Sequence, residues 1–177
     1  NSLCANTTGG ANTAVGVSSL KAVTTGVNNT AVGTSAGLSI TEGTNNLALG
    51  KSALVFTTTG DHNIAMGEDS VRCNTTGDYN IGIGVNALHK NTASSNVGIG
   101  RNAASCTTTG ALNVALGDNA LKANTTANHN TAIGAQTLQA NTTGYANTAV
   151  GYNALCTHTT GNSNTAVGDN TMKLTTT

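Results

Sequence analysis

Ten times in this chain an asparagine stands four residues before a glycine, and an aliphatic residue or methionine stands directly before that glycine. The asparagines are Asn12, Asn29, Asn46, Asn63, Asn80, Asn96, Asn113, Asn130, Asn147 and Asn164. The glycines are Gly16, Gly33, Gly50, Gly67, Gly84, Gly100, Gly117, Gly134, Gly151 and Gly168. Their spacing is seventeen residues, with a single step of sixteen from Gly84 to Gly100. A unit this short cannot enclose a core alone, so copies must stack. A fixed short period is the signature of a solenoid in which each repeat forms one rung.

The columns around the motif say what each rung does. Only Ala or Gly stands two before the motif glycine, as in Ala14, Gly82 and Gly98, which implies a space too tight for anything larger. An apolar column lies four after it, from Leu20 to Met172, interrupted by Gly37 and Ala104, with Leu38 expected to cover the first gap. Threonine stands eight after the glycine, from Thr24 to Thr176, and a Gly-containing return follows, with Ser94 and Ala127 as the departures from glycine. Thr, Val, Asn and Gly are weak helix formers, and glycine punctuates each rung, so helix is excluded. Alternation predicts strand: Asn, Ala and Gly point one way, and the residue after Asn and the aliphatic point the other. Each rung is expected to be a short strand, a glycine turn, a second short strand and a polar return. Stacked in register, the asparagines form a ladder of side-chain amides along the axis. In the short repeat the residue is lost from the return after Thr92, so the strands at Asn80 and Asn96 should keep their register, because a slip would invert every buried side chain.

The expected fold is an all-β parallel β-solenoid of about ten 17-residue rungs. Residues 1–177 read as one continuous array that starts and stops mid-repeat, a segment of a longer fibre. The motif strand carries no charge on either face, which reads as burial on both. A rung has one interior, so the second face calls for a copy of the chain.

Composition narrows function. Charged residues make up 8% and the formal net charge is zero, so nothing steers the chain to nucleic acid or to an anionic membrane. No apolar run approaches the ~20 residues of a membrane span. Cys4, Cys73, Cys106 and Cys156 lack metal-ligand spacing. Cys73 and Cys106 lie two rungs apart, beyond the reach of a disulfide. They read as free thiols in small apolar slots. The seven acids avoid the motif columns, and Glu68-Asp69 reads as a solvated turn. His62, His89, His129 and His158 read as exposed loop residues, and His62 and His129 stand four rungs apart, too far to share a metal. No catalytic, cofactor or metal site is expected. Asn6, Asn28, Asn74, Asn124 and Asn141 fit the glycosylation sequon, although four of the five share one turn column whose turn propensity explains them.

The motif resembles the head repeats of trimeric autotransporter adhesins: Ala65-Met66-Gly67 with Ser70, and Ala132-Ile133-Gly134 with Thr137. It resembles still more the repeat arrays of phage and virus tail-fibre proteins, as in Asn147-Thr148-Ala149-Val150-Gly151-Tyr152-Asn153-Ala154-Leu155. That resemblance implies a left-handed β-roll, three chains around one axis as an intertwined or side-by-side homotrimer, and no transferable binding residue. The expected function is a non-enzymatic structural or adhesive fibre segment, extracellular or on a cell or virion surface, with itself and a host-surface or matrix receptor as partners. The rival expectation is an ice-binding solenoid that uses its threonine columns.

Overall fold

The computed structural model describes residues 1–173. Thr176 of the threonine column lies outside them. Ten three-residue strands follow one another: β1 (Thr13–Val15), β2 (Thr30–Val32), β3 (Leu47–Leu49), β4 (Ile64–Met66), β5 (Ile81–Ile83), β6 (Val97–Ile99), β7 (Val114–Leu116), β8 (Thr131–Ile133), β9 (Thr148–Val150) and β10 (Thr165–Val167). They form one parallel sheet whose order is the chain order. Every residue pairs with its counterpart one repeat on, as in Thr13 with Thr30 and Val15 with Val32. The fold is therefore a β-solenoid with one strand per rung.

The second short strand is absent, and the backbone shows why. After each motif glycine, left-handed residues alternate with right-handed ones: Ser35 (φ 58°) and Gly37 (φ 58°) in one rung, Asn119 (φ 56°) and Leu121 (φ 53°) in another. A third left-handed position precedes each ladder asparagine, for example Asn28 and Tyr79. In the segment from Gly33 the N–H groups of Gly33 and Ser35 donate to Val15 and Val17 of the preceding rung. Those of Gly37 and Ser39 donate forward to Ala53 and Val55, while those of Ala36, Leu38 and Ile40 close local turns. Each left-handed L-residue costs roughly 1–2 kcal/mol. What offsets it is that every N–H from Ser35 to Ile40 is paired.

The interior holds the Ala or Gly in the middle of β2 to β10 together with Leu20, Leu54, Val71, Leu88, Leu121, Leu138 and Leu155, all essentially without solvent contact. The gap at Gly37 is filled differently from the expectation. A Cβ there would lie 2.8 Å from Leu20 Cδ2 and 3.1 Å from Ile40 Cδ1. Buried Ile40 and Leu20 occupy the space, while Leu38 is only half-buried.

The short rung keeps register: Ile81 pairs with Val97 and Ile83 with Ile99. The carbonyl of Ala93 accepts Asn80 Nδ2 at 2.8 Å, as the Gly77 carbonyl accepts Asn63 Nδ2 at 2.9 Å. Ser94 Oγ accepts the Asp78 N–H, as the Asp78 carboxylate accepts the Asp61 N–H. Ala93, not Ser94, thus takes the glycine position, and the missing residue is the counterpart of the second threonine, Thr76 or Thr109.

Candidate functional site

Two kinds of surface could carry function: the interior ladders, which hold the rungs, and the sheet face turned outward. The ladder asparagines come first because they decide what is left over. The N–H of Asn29 donates to Asn12 Oδ1 at 2.9 Å, and the contact repeats at each rung, including Asn96 onto Asn80 at 3.0 Å. From Asn12 to Asn147 each Nδ2 donates to the return carbonyl of the next rung, as Asn29 to Gly43, Asn113 to Ala127 and Asn130 to Gly144. From Asn29 to Asn147 these side chains are buried, whereas Asn12 and Asn164 at the two end rungs are partly open. An amide has both a donor and an acceptor, so asparagine alone can satisfy a strand N–H on one side and a return carbonyl on the other.

A second interior column went unread in the sequence. Seven after the motif glycine stand Val23, Ile40, Thr57, Asn74, Asn91, Thr107, Asn124, Asn141 and His158, all fully buried. Asn74 Nδ2 donates to Gly77 O at 2.8 Å, and Asn141 Nδ2 to Gly144 O at 2.8 Å. His158 Nε2 lies 2.8 Å from Gly161 O, so this histidine is not the exposed loop residue expected. Gly77 O and Gly144 O thereby accept two amides each, which uses both lone pairs. The sequon reading is corrected at Asn74, Asn124 and Asn141: their nitrogens are enclosed, with no room for a glycan in the folded rung. Asn6 and Asn28 are exposed. The signal of burial was the company kept by the column, since Val23 and Ile40 share it; Asn6 stands in the same column at the first rung and is exposed.

The threonine column forms a third ladder. Thr24, Thr41, Thr58, Thr108, Thr125 and Thr142 each donate the hydroxyl to the carbonyl of the next threonine, at 3.0–3.2 Å. The N–H groups of Thr24 and Gly26 converge on the same Thr41 carbonyl.

Several charged groups pair with one another or with the backbone. Lys51 Nζ meets Glu68 at 2.7 Å, Arg72 meets Asp69 at 3.1 Å, and Arg101 holds Asp118 through two bonds of 2.9 and 3.0 Å. Those partners raise the Lys51 and Arg101 values. Asp61 accepts the Thr44 N–H at 2.6 Å. The exposed His62 ring stacks on Tyr79, centroids 5.0 Å apart. All four cysteines are free: Cys4 is exposed and Cys73, Cys106 and Cys156 half-buried. A groove of about 210 Å³ lies between Asn86, His89, Lys90, Asn102, Ser105 and Cys106. Burial lowers the His89 value, ahead of the opposing effect of Asp69. Among the described residues no three His, Cys, Asp or Glu side chains could hold a metal, and no helix is long and apolar enough to cross a membrane.

What remains is the outward sheet face. On each strand the middle residue points in, and the first and third point out. The third-residue column is Val15, Val32, Leu49, Met66, Ile83, Ile99, Leu116, Ile133, Val150 and Val167, half-buried to exposed, with Val15 at 56% and Leu116 at 41%. The first-residue column is aliphatic in the middle, from Leu47 through Ile64, Ile81 and Val97 to Val114, and threonine at both ends. Nothing from the chain's own return covers this face. Ten strands at ~4.8 Å and three residues at ~3.3 Å make it about 43 by 10 Å, or roughly 430 Å². A patch of that size matches the largest apolar patch of an ordinary monomer, about 300–600 Å². The chain matches no family model, no curated protein and no solved structure.

Proposed function

We propose that this chain is a structural, non-enzymatic rod segment of a fibre displayed outside a cell or on a virion, assembled with copies of itself through the outward sheet face. The observation that carries this is the open face itself: twenty side chains on ten strands, none charged, with at least one of the two at every rung aliphatic or methionine. Burying such a face stabilises by about 25 cal/mol per Å² of apolar area, so it favours a partner of like character. The rest of the rung is self-contained, with the ladder asparagines and the threonine-column hydroxyls paired along the axis, which suits a rod that bears load. The resemblance to adhesin-head and tail-fibre repeats supports the same reading. A receptor would then be met by surfaces of the assembled fibre or by parts joined to it. The ice-binding alternative draws less support, because the hydroxyls of the threonine column are bonded to carbonyls and the first-residue column is aliphatic over five consecutive rungs.

Sedimentation equilibrium of the chain tests the proposal. Self-association is expected, and Ile83→Lys on the face should abolish it while the far-ultraviolet circular dichroism stays unchanged. A wild-type chain that stays monomeric at all concentrations would contradict it, as would an Ile83→Lys chain that assembles as well as the wild type.

A further inference from the structure

Beside the sheet face runs one more outward column, the residue after each motif glycine: Val17, Thr34, Lys51, Glu68, Val85, Arg101, Asp118, Ala135, Tyr152 and Asp169. Apart from Asp169 on the last rung, its charges fall only on the rungs of β3, β4, β6 and β7. Their order along the axis is plus, minus, neutral, plus, minus. Reversed about the rung of β5, that order becomes its own complement.

We infer that this face pairs with a second copy of the chain in antiparallel fashion, about a two-fold axis that runs along the strand direction through β5. The inference rests on the self-assembly proposed above and assigns its polarity and register. Rotation about an axis along the strands brings the two sheets face to face and reverses the rung order. It leaves each column opposite itself. Lys51 then stands against Asp118 of the second copy, Glu68 against Arg101, and Val85 against Val85. The first-residue column obeys the same symmetry: Ile81 meets itself, Ile64 meets Val97, Leu47 meets Val114, Thr30 meets Thr131 and Thr13 meets Thr148. In the flanking column Val17 meets Tyr152 and Thr34 meets Ala135. Over nine rungs apolar residues face apolar residues in the first column, threonine faces threonine, and each charge faces its opposite. Only the rung of β10 overhangs.

A parallel arrangement, of two copies or of three, leaves every residue at its own level. Lys51 would then find only Leu47, Leu49 and Lys51 across the interface, and Glu68 only Ile64, Met66 and Glu68. No opposite charge is available at any of the four charged rungs. The exposed intrachain pairs Lys51–Glu68 and Arg101–Asp118 survive in the antiparallel pair and join into two four-membered clusters. With the flanking column the face measures about 43 by 15 Å. The nine paired rungs span about 38 by 15 Å, so two copies bury about 1,150 Å² in total, at the lower edge of specific stable interfaces, which begin near 1,200 Å². Isologous self-complementarity of this kind is what a two-fold interface requires. Such a pair would join two rods side by side.

Charge reversal tests it. Lys51→Glu alone places two like-charge contacts in each pair, and so does Asp118→Lys alone; like charges brought face to face at an interface select against it. Both sites are on the surface, so each variant should keep its circular dichroism. Sedimentation equilibrium should show a wild-type dimer, each single variant with its dissociation constant raised about tenfold or more, and an equimolar mixture of the two variants returning close to wild type. Recovery in the mixture identifies the antiparallel register, because only there does residue 51 meet residue 118. A wild-type trimer, or a wild-type dimer whose variants show no recovery on mixing, would overturn the antiparallel pair and leave self-assembly standing. A monomer at all concentrations would overturn both.

Discussion

Replacing Gly100 by alanine should destabilise the fold by about 2–6 kcal/mol, combining a strained backbone with overpacking. Gly100 has φ +126°, and an added Cβ would sit 2.5 Å from the oxygen and 2.6 Å from the carbonyl carbon of Gly117. Neither atom can withdraw, because the Gly117 N–H is bonded to Ile99 O at 2.8 Å. The contrast with Ala104, four residues on, separates this from a general dislike of positive φ. Ala104 at φ 48° lies in the left-handed basin that an L-residue can enter, and it is buried without clash. A φ near +128° lies outside that basin, and all ten motif positions hold glycine there. Urea unfolding of Gly100→Ala beside the wild type checks this. A midpoint unchanged by the substitution would mean that the rungs do not approach as closely at the motif glycine as the structure has them.

The second large effect is expected from Asn113→Leu, at about 2–4 kcal/mol. Asn113 Oδ1 accepts the Asn130 N–H at 3.0 Å, and its Nδ2 donates to Ala127 O at 2.9 Å. Leucine has the same branched arrangement of heavy atoms but bulkier ends, and supplies neither group. The Asn130 N–H is then buried without an acceptor, at roughly 1–3 kcal/mol. Ala127 O is less affected, since Asn124 Nδ2 also reaches it at 3.2 Å. Lys122→Ala, on the half-exposed turn of the same rung, makes the control and should change stability by no more than about 0.5 kcal/mol. Thermal melting of both variants decides between a buried ladder and a decorative column. A larger loss from the lysine change would contradict the ladder.

The parts of this fold that were legible from the residues are those where one residue type satisfies one geometric demand. Asn113 and its nine counterparts had to pair both ends of an amide. The Ala or Gly before each aliphatic had to fit a narrow interior. The shortened return at Ala93 had to leave the strands in phase. The parts that were not legible depend on backbone conformations that no side chain announces. Leu121 and Leu138 alternate with small residues as they would in a strand, yet both sit at positive φ. Leucine has no left-handed preference to reveal this; the rung imposes it so that every second N–H can reach a neighbouring rung. Asn74 and Asn141 have the turn chemistry of exposed sequons, but their amides turn inward to cap a return carbonyl. His158 follows them for the same reason. The outward face was legible as apolar and in need of cover. Its self-complementary order about β5 emerged only when the register had assigned each residue a level on the axis.

Amide hydrogen exchange at the ladder asparagines tests the central claim most directly, because each of their N–H groups is paired only through the side chain of the rung before. From Asn29 to Asn147 these amides should be protected as strongly as those of Val97 and Val114 inside the sheet, with Asn164 at an end rung exchanging sooner. Exchange at the rate of an exposed amide such as that of Arg101, across the central rungs, would contradict the ladder and the stacked rung built on it.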